Sequence, residues 1–195
     1  MPKGKLAIAL LVCIALFVLF LMLPKQPGSV RENSILKADP DSLKLAEAIA
    51  MANGPNGMQA ALAFRDIVAK DSTNVEAHYW LGVLSVRSQQ IDKAINRYEK
   101  VINLDSTYMK AYLDLGGIYM EQGDNEKALT YFNRSVRVDS TFVYGLVFKA
   151  RCLELSDSLN EALSTYRQVL RHTNDTAIVK PVTEFISNIN KKLIP

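Results

Sequence analysis

Asp-Ser-Thr stands at Asp71-Ser72-Thr73, again at Asp105-Ser106-Thr107 and again at Asp139-Ser140-Thr141. The step between copies is the same both times, ~34 residues, and a fixed period of that size restricts the chain to a repeat architecture before any other feature is weighed. Other markers keep step. Alanine recurs at Ala60, Ala94, Ala128 and Ala162, and an aromatic follows four residues later at Phe64, Tyr98, Phe132 and Tyr166. Leu81-Gly82 is matched by Leu115-Gly116. Each period holds two apolar stripes with helical spacing. In the third unit the first stripe is Ala111, Tyr112, Leu115, Ile118 and Tyr119, and the second is Ala128, Leu129, Phe132 and Val136, with Gly123-Asp124 between them. Small residues at the glycine and alanine steps let two helices approach closely, and the aromatic fills the space beside them. A single pair of this kind cannot bury its apolar face, so neighbouring pairs must stack. The sequence therefore predicts an all-α solenoid of about four helix pairs over residues 41–176, with units near 41–74, 75–108, 109–142 and 143–176. Residues 177–195 are expected to form a capping helix with Ile178, Val182, Phe185, Ile186 and Ile189 on one face. The Asp-Ser-Thr segments are expected to cap the helix that follows them. The breaker Asn53-Gly54-Pro55-Asn56-Gly57 is expected to lengthen or distort the first unit.

The pattern resembles the tetratricopeptide repeat (TPR), W-x2-L-G-x2-Y followed by A-x3-F within one period of this size. The third unit fits best, with Tyr112, Leu115, Gly116, Tyr119, Gly123, Ala128 and Phe132. The second has His78 at the aromatic position, the fourth has Lys149-Ala150 in place of Leu-Gly, and the first keeps only Ala60 and Phe64 clearly. The resemblance implies a right-handed α-solenoid whose concave groove binds other proteins. Carried over by register, the groove positions are Glu76, Tyr79, Val83 and Arg87 in the second unit. They are Lys110, Leu113, Met120 and Glu121 in the third, and Tyr144, Val147, Arg151 and Glu154 in the fourth. Val83 and Leu113 have core packing as an equal alternative, and Trp80 is either an exposed anchor or a wedge between units. The carboxylate clamp of chaperone-binding members is missing. One frame places Leu45, Ile49, Trp80, Lys110 and Asp114 at its positions, and the other places Tyr79, Val83, Asp114, Tyr144 and Phe148 there.

The N-terminus carries a second signal. Residues 6–23 form an unbroken apolar run, flanked by Lys3 and Lys5 before and by Pro24, Lys25, Pro27 and Gly28 after. A helix of that length reaches roughly 27 Å, close to the hydrocarbon thickness of a bilayer. A cleaved signal peptide has a shorter core and a small-x-small site, which the 23–28 stretch does not offer. Leu10-Leu11-Val12-Cys13 fails as a lipobox because Val12 is bulky and the apolar run continues beyond Cys13. One transmembrane signal anchor over residues 6–23 is expected after a tail of residues 1–5, with a linker over 24–39. Charge around the run does not decide its direction. A short inside tail would put the soluble part in the periplasm or another extracytoplasmic space.

Net charge is +3, with 23 basic and 20 acidic residues interspersed, so nucleic acid is not expected as a partner. His78 and His172 lie in different units, and Asp124-Asn125-Glu126 lacks the other ligands of a calcium loop, so no metal site is expected. No phosphate loop, nucleophile elbow or dinucleotide turn is present in the sequence. No catalytic residue and no cofactor are assigned, and the chain is not expected to be an enzyme. Cys152 falls in step with Leu84 and Ile118, which predicts a buried structural thiol. The sequence thus predicts a membrane-anchored scaffold for protein–protein interaction, an accessory factor in envelope assembly or maturation. The alternative is a cytosol-facing receptor or targeting adaptor.

Overall fold

The computed structural model describes residues 39–193. Among them lie nine α-helices and no strand. The helices are α1 (Pro40–Asn53), α2 (Gly57–Lys70), α3 (Val75–Arg87), α4 (Ile91–Leu104), α5 (Met109–Glu121), α6 (Asn125–Val138), α7 (Val143–Leu155), α8 (Leu159–His172) and α9 (Thr176–Leu193). Residues 6–23, expected to form the anchor, lie outside the described residues. Within the described residues no helix is long and apolar enough to cross a membrane. The helices divide into two compact units, with the boundary between Ala94 and Ile95. In the first, α1 packs on α2 and α2 on α3. In the second, α5 packs on α6, α6 on α7, α7 on α8, and α8 on α9.

Helix ends keep the repeat step throughout, including the first pair. The Asn53–Gly57 breaker therefore does not lengthen its unit. What it changes is the turn. In the other three pairs the turn between first and second helix passes through a left-handed residue: Gln89 (φ 58°), Gly123 (φ 81°) and Asp157 (φ 58°). A backbone bond closes each of these turns, from Gln90 N–H to the Ser85 carbonyl at 2.8 Å and from Asp124 to Tyr119 and Ser158 to Leu153 at 2.9 Å. The same step in the first pair holds Pro55, whose ring fixes φ at about −65° and forbids that conformation. Gly54 is extended instead (φ −102°, ψ −163°). Only Gly123 occupies the left-handed step without a Cβ penalty. Gln89→Gly is expected to raise stability by about 0.5–1 kcal/mol, measured by urea denaturation, because the strain at glutamine exceeds the extra chain entropy of glycine.

The Asp-Ser-Thr segments correct an expectation. They do not cap the helix that follows. Each aspartate folds back on its own turn, with Oδ1 accepting from the backbone N–H and hydroxyl of the threonine two residues on. The distances are 2.9 and 2.6 Å at Asp71, 2.8 and 2.6 Å at Asp105, and 2.8 and 2.7 Å at Asp139. The physical reason is reach: the next helix begins four residues after the aspartate, and Asn74 supplies the cap of α3 by accepting from Ala77 N–H. The threonine hydroxyl and amide hold all three carboxyls below the ordinary aspartate range. A depressed folded value makes a contribution that is complete above the unfolded aspartate pKa of about 4 and is lost as pH falls through the folded one. Replacing Asp71, Asp105 and Asp139 together by Asn should flatten the fall in melting temperature between pH 5 and pH 2.

The serine carbonyl of the turn is used as well. Tyr112 Oη donates to Ser106 O at 3.1 Å, and His78 Nε2 makes the equivalent bond to Ser72 O at 3.0 Å. A carbonyl only accepts, so the imidazole presents N–H there. Histidine at the aromatic step thus keeps the bond that tyrosine makes.

Helix α9 closes the second unit. Val182 and Ile189 are buried against a cluster built from Leu146, Ala150, Leu153, Ala162, Tyr166 and Val169, with Phe185 and Ile186 packed beside it. Cys152 is fully buried, and its thiol donates to the Asn125 carbonyl at 3.1 Å. Burial pushes its pKa up to about 11. Maleimide labelling of Cys152 at pH 8, followed peptide by peptide, is expected to run at least ~100-fold slower in the folded chain than in urea, because only the thiolate reacts.

Candidate protein-binding surface

The first helices of the second and third repeats bury residues on nearly every side. In α3, every residue from Ala77 to Leu84 is buried, and in α5 every residue from Ala111 to Ile118. This decides where the groove residues assigned by register fall. In the first unit Tyr79 and Val83 are each 1% exposed and belong to the core. Trp80 is 4% exposed. Its ring lies parallel to Phe64 at 6.2 Å, and its indole N–H donates to Glu76 at 2.8 Å. Trp80 is therefore a wedge between α2 and α3, and Glu76 holds its polar edge. Arg87 donates to the Ala52 carbonyl, placing a cation at the C-terminal end of α1, where the helix dipole favours it.

In the second unit Leu113 and Met120 are buried, while Lys110 and Glu121 are exposed on the same helix. On α7, Tyr144 and Val147 are half-buried. Arg151 and Glu154 are engaged inside the fold. Arg151 Nη1 donates to Glu154 Oε2 at 2.7 Å, with both side chains 10% exposed. The guanidinium lies 5.2 Å from the centre of the Phe185 ring on α9. Tyr166 Oη donates to the same Glu154 oxygen at 3.3 Å, and Lys192 Nζ stands 3.7 Å from the other. Burial, then the Glu154 charge, pushes the Tyr166 hydroxyl well above the ordinary tyrosine value. Sequence reasoning paired neither Phe185 nor Lys192 with this cluster. The Arg151–Glu154 spacing of one helical turn was the available signal.

The structure thus leaves Lys110 and Glu121 of the third repeat and Tyr144 and Val147 of the fourth as the assigned positions of the second compact unit with side-chain surface to offer. The chemistry they can perform is recognition: two charges of opposite sign beside an aromatic and an aliphatic side chain.

Comparison with known proteins agrees with this fold. A TPR repeat model matches residues 85–123, and a tetratricopeptide repeat model matches residues 110–142. No curated protein matches the sequence. Among solved structures, MamA is similar with a TM-score of 0.63 at 23% identity, over 74% of this chain and 86% of that one. YrrB, described as a TPR protein with an unusual peptide-binding site, gives 0.63 at 18% identity over 76% of this chain and 75% of its own. TTC0263, a thermophilic TPR protein in Thermus thermophilus, gives 0.60 at 15% identity over 79% and 83%. TPR repeat models thus match residues 85–142, and the described helices share their fold with solved TPR structures.

Proposed function

We propose that the chain is a membrane-anchored TPR scaffold that holds a segment of a partner protein against the first helices of its repeats. The observation that carries this reading is the second unit's surface: exposed Lys110 and Glu121 on α5, with half-buried Tyr144 and Val147 on α7. Tyrosine beside an aliphatic side chain with flanking charges suits an amphipathic helix or an extended peptide. YrrB supports the choice of ligand class, since its own site is described as peptide-binding. The test is photo-crosslinking in cells from a benzoylphenylalanine placed at Tyr144, with Ser164 on α8 as the control position. A partner captured from Tyr144 and not from Ser164 is the expected result. Equal capture from both, or none from Tyr144, rejects the surface.

Anchoring rests on the apolar run of residues 6–23, and the extracytoplasmic placement on its short basic tail. From there the scaffold serves envelope assembly or maturation. Retention of the full chain in carbonate-washed membranes is the expected outcome. A C-terminal reporter active only outside the cytoplasm supports the envelope role, whereas one active only inside makes the chain a cytosol-facing receptor.

A further inference from the structure

The first helix of a repeat has one face that receives the second helix of the repeat before it. Two repeats show the seat in detail. In the second, Trp80 stacks on Phe64, and Leu84 Cδ2 lies 3.6 Å from where a Cβ on Gly57 would stand. In the fourth, Phe148 stacks on Phe132 at 5.8 Å, and the Cys152 thiol bonds to the Asn125 carbonyl. Gly145, on the same face, fits against Ser135 and Val136. By the repeat step, these positions in the first repeat are Leu43, Ala46 and Ala50 on α1. All three are exposed, Leu43 by 44%. The seat is present and empty among the described residues. The chain's own preceding segment is a poor candidate for it. The in-step stretch of the sequence, residues 23–36, contains Pro24, Pro27 and Gly28, residues of low helix propensity.

The same helix pair carries a second anomaly. On the outer side of the second helices, the other pairs place polar residues at two steps: Asp92 and Asn96, Glu126 and Thr130, Asn160 and Ser164. The first pair has Met58 and Leu62 there, 79% and 55% exposed. An exposed apolar i, i+4 stripe on one helix is what a helix seat takes. Both halves of a contact, an empty seat and an outward apolar stripe, therefore lie on one helix pair and on no other among the described residues.

We infer that the first repeat is a self-association surface: α2 of one copy lies in the α1 seat of a second copy, and the reverse contact forms by symmetry. A two-fold axis satisfies both halves at once, which is the closed arrangement homodimers adopt. The small Ala46 and Ala50 stand where other repeats have Trp80, Phe148, Leu84 and Cys152, so the seat has room for the long Met58 and Leu62 side chains of the second copy.

The test uses the full chain in detergent micelles, with protein mass read by light scattering. The variant Met58→Glu with Leu62→Thr restores the residues of the third repeat at exposed positions, so its fold and melting temperature as a monomer are safe. The wild type is expected to be a dimer, and the double variant to dissociate at least tenfold more readily. Two chains, each with Cys13→Ser, one carrying Leu62→Cys and the other Ala50→Cys, should crosslink to each other with a short bis-maleimide when co-expressed. Ser164→Cys in place of Leu62→Cys should not. A monomeric wild type, a dimer unchanged by Met58→Glu/Leu62→Thr, or absence of the 62–50 crosslink each overturns the inference. Loss of binding to phosphatidylcholine vesicles by the variant, with a monomeric wild type, would overturn it too and assign the surface to lipid instead.

Discussion

Phe132→Ala should lower stability by about 3–5 kcal/mol, the range for removing a fully buried aromatic ring. The ring is 0% exposed, stacks on Phe148 and fills the space directly against Gly116. Domains of this size carry only about 5–15 kcal/mol in total, so one substitution would remove a large share. The reciprocal change is informative. A methyl at Gly116 would lie 2.5 Å from a ring carbon of Phe132, closer than packed carbons approach. Gly116→Ala alone should therefore cost about 1–3 kcal/mol from overpacking, in spite of a helix propensity gain of about 1 kcal/mol. Once Phe132 is alanine the methyl has room, and Gly116→Ala should turn neutral or favourable. Urea denaturation of the four chains measures the coupling. Simple additivity of the two costs would mean that the close approach of α5 and α6 is not set by this pair.

Glu154→Ala should cost about 3–5 kcal/mol, because it strips the carboxylate from a guanidinium on a side chain that the fold keeps 10% exposed. Exposed ion pairs elsewhere, such as Lys44 with Asp41, are worth far less. Replacing both members, Arg151→Met with Glu154→Leu, should cost much less than either single change, since no buried charge then lacks its counterpart. Hydrogen exchange on α9 separates this from a general loss of stability. Amides around Phe185 and Ile189 should lose protection in Glu154→Ala before those of α5 do.

The constant period made the two helices of each repeat readable, because each turn is closed by residues within a few positions of one another. Turn chemistry was less legible. Asp-Ser-Thr reads equally well as a cap for the helix ahead or as a turn closed on itself, and only the distance to Thr73, Thr107 and Thr141 separates the two. The candidate surface was harder still. Groove and core positions are distinguished by amphipathicity, and α3 and α5 have little: Tyr79, Val83, Leu113 and Met120 lie on helices whose central residues are buried on every side. Arg151 was misleading for another reason. Arginine is favoured in interface hot spots, yet here its partners Glu154 and Phe185 come from its own helix and from one a full repeat downstream.

Each Asp-Ser-Thr joint is closed by its own bonds, the aspartate carboxyl holding the amide and hydroxyl of the threonine two residues on. A gene segment copied from one such joint to the next would therefore carry a whole helix pair and rebuild the same joint at both ends. The array is able to lengthen or shorten by units without any existing turn having to change its bonds, so a family of chains differing in repeat number is open to it at little structural cost.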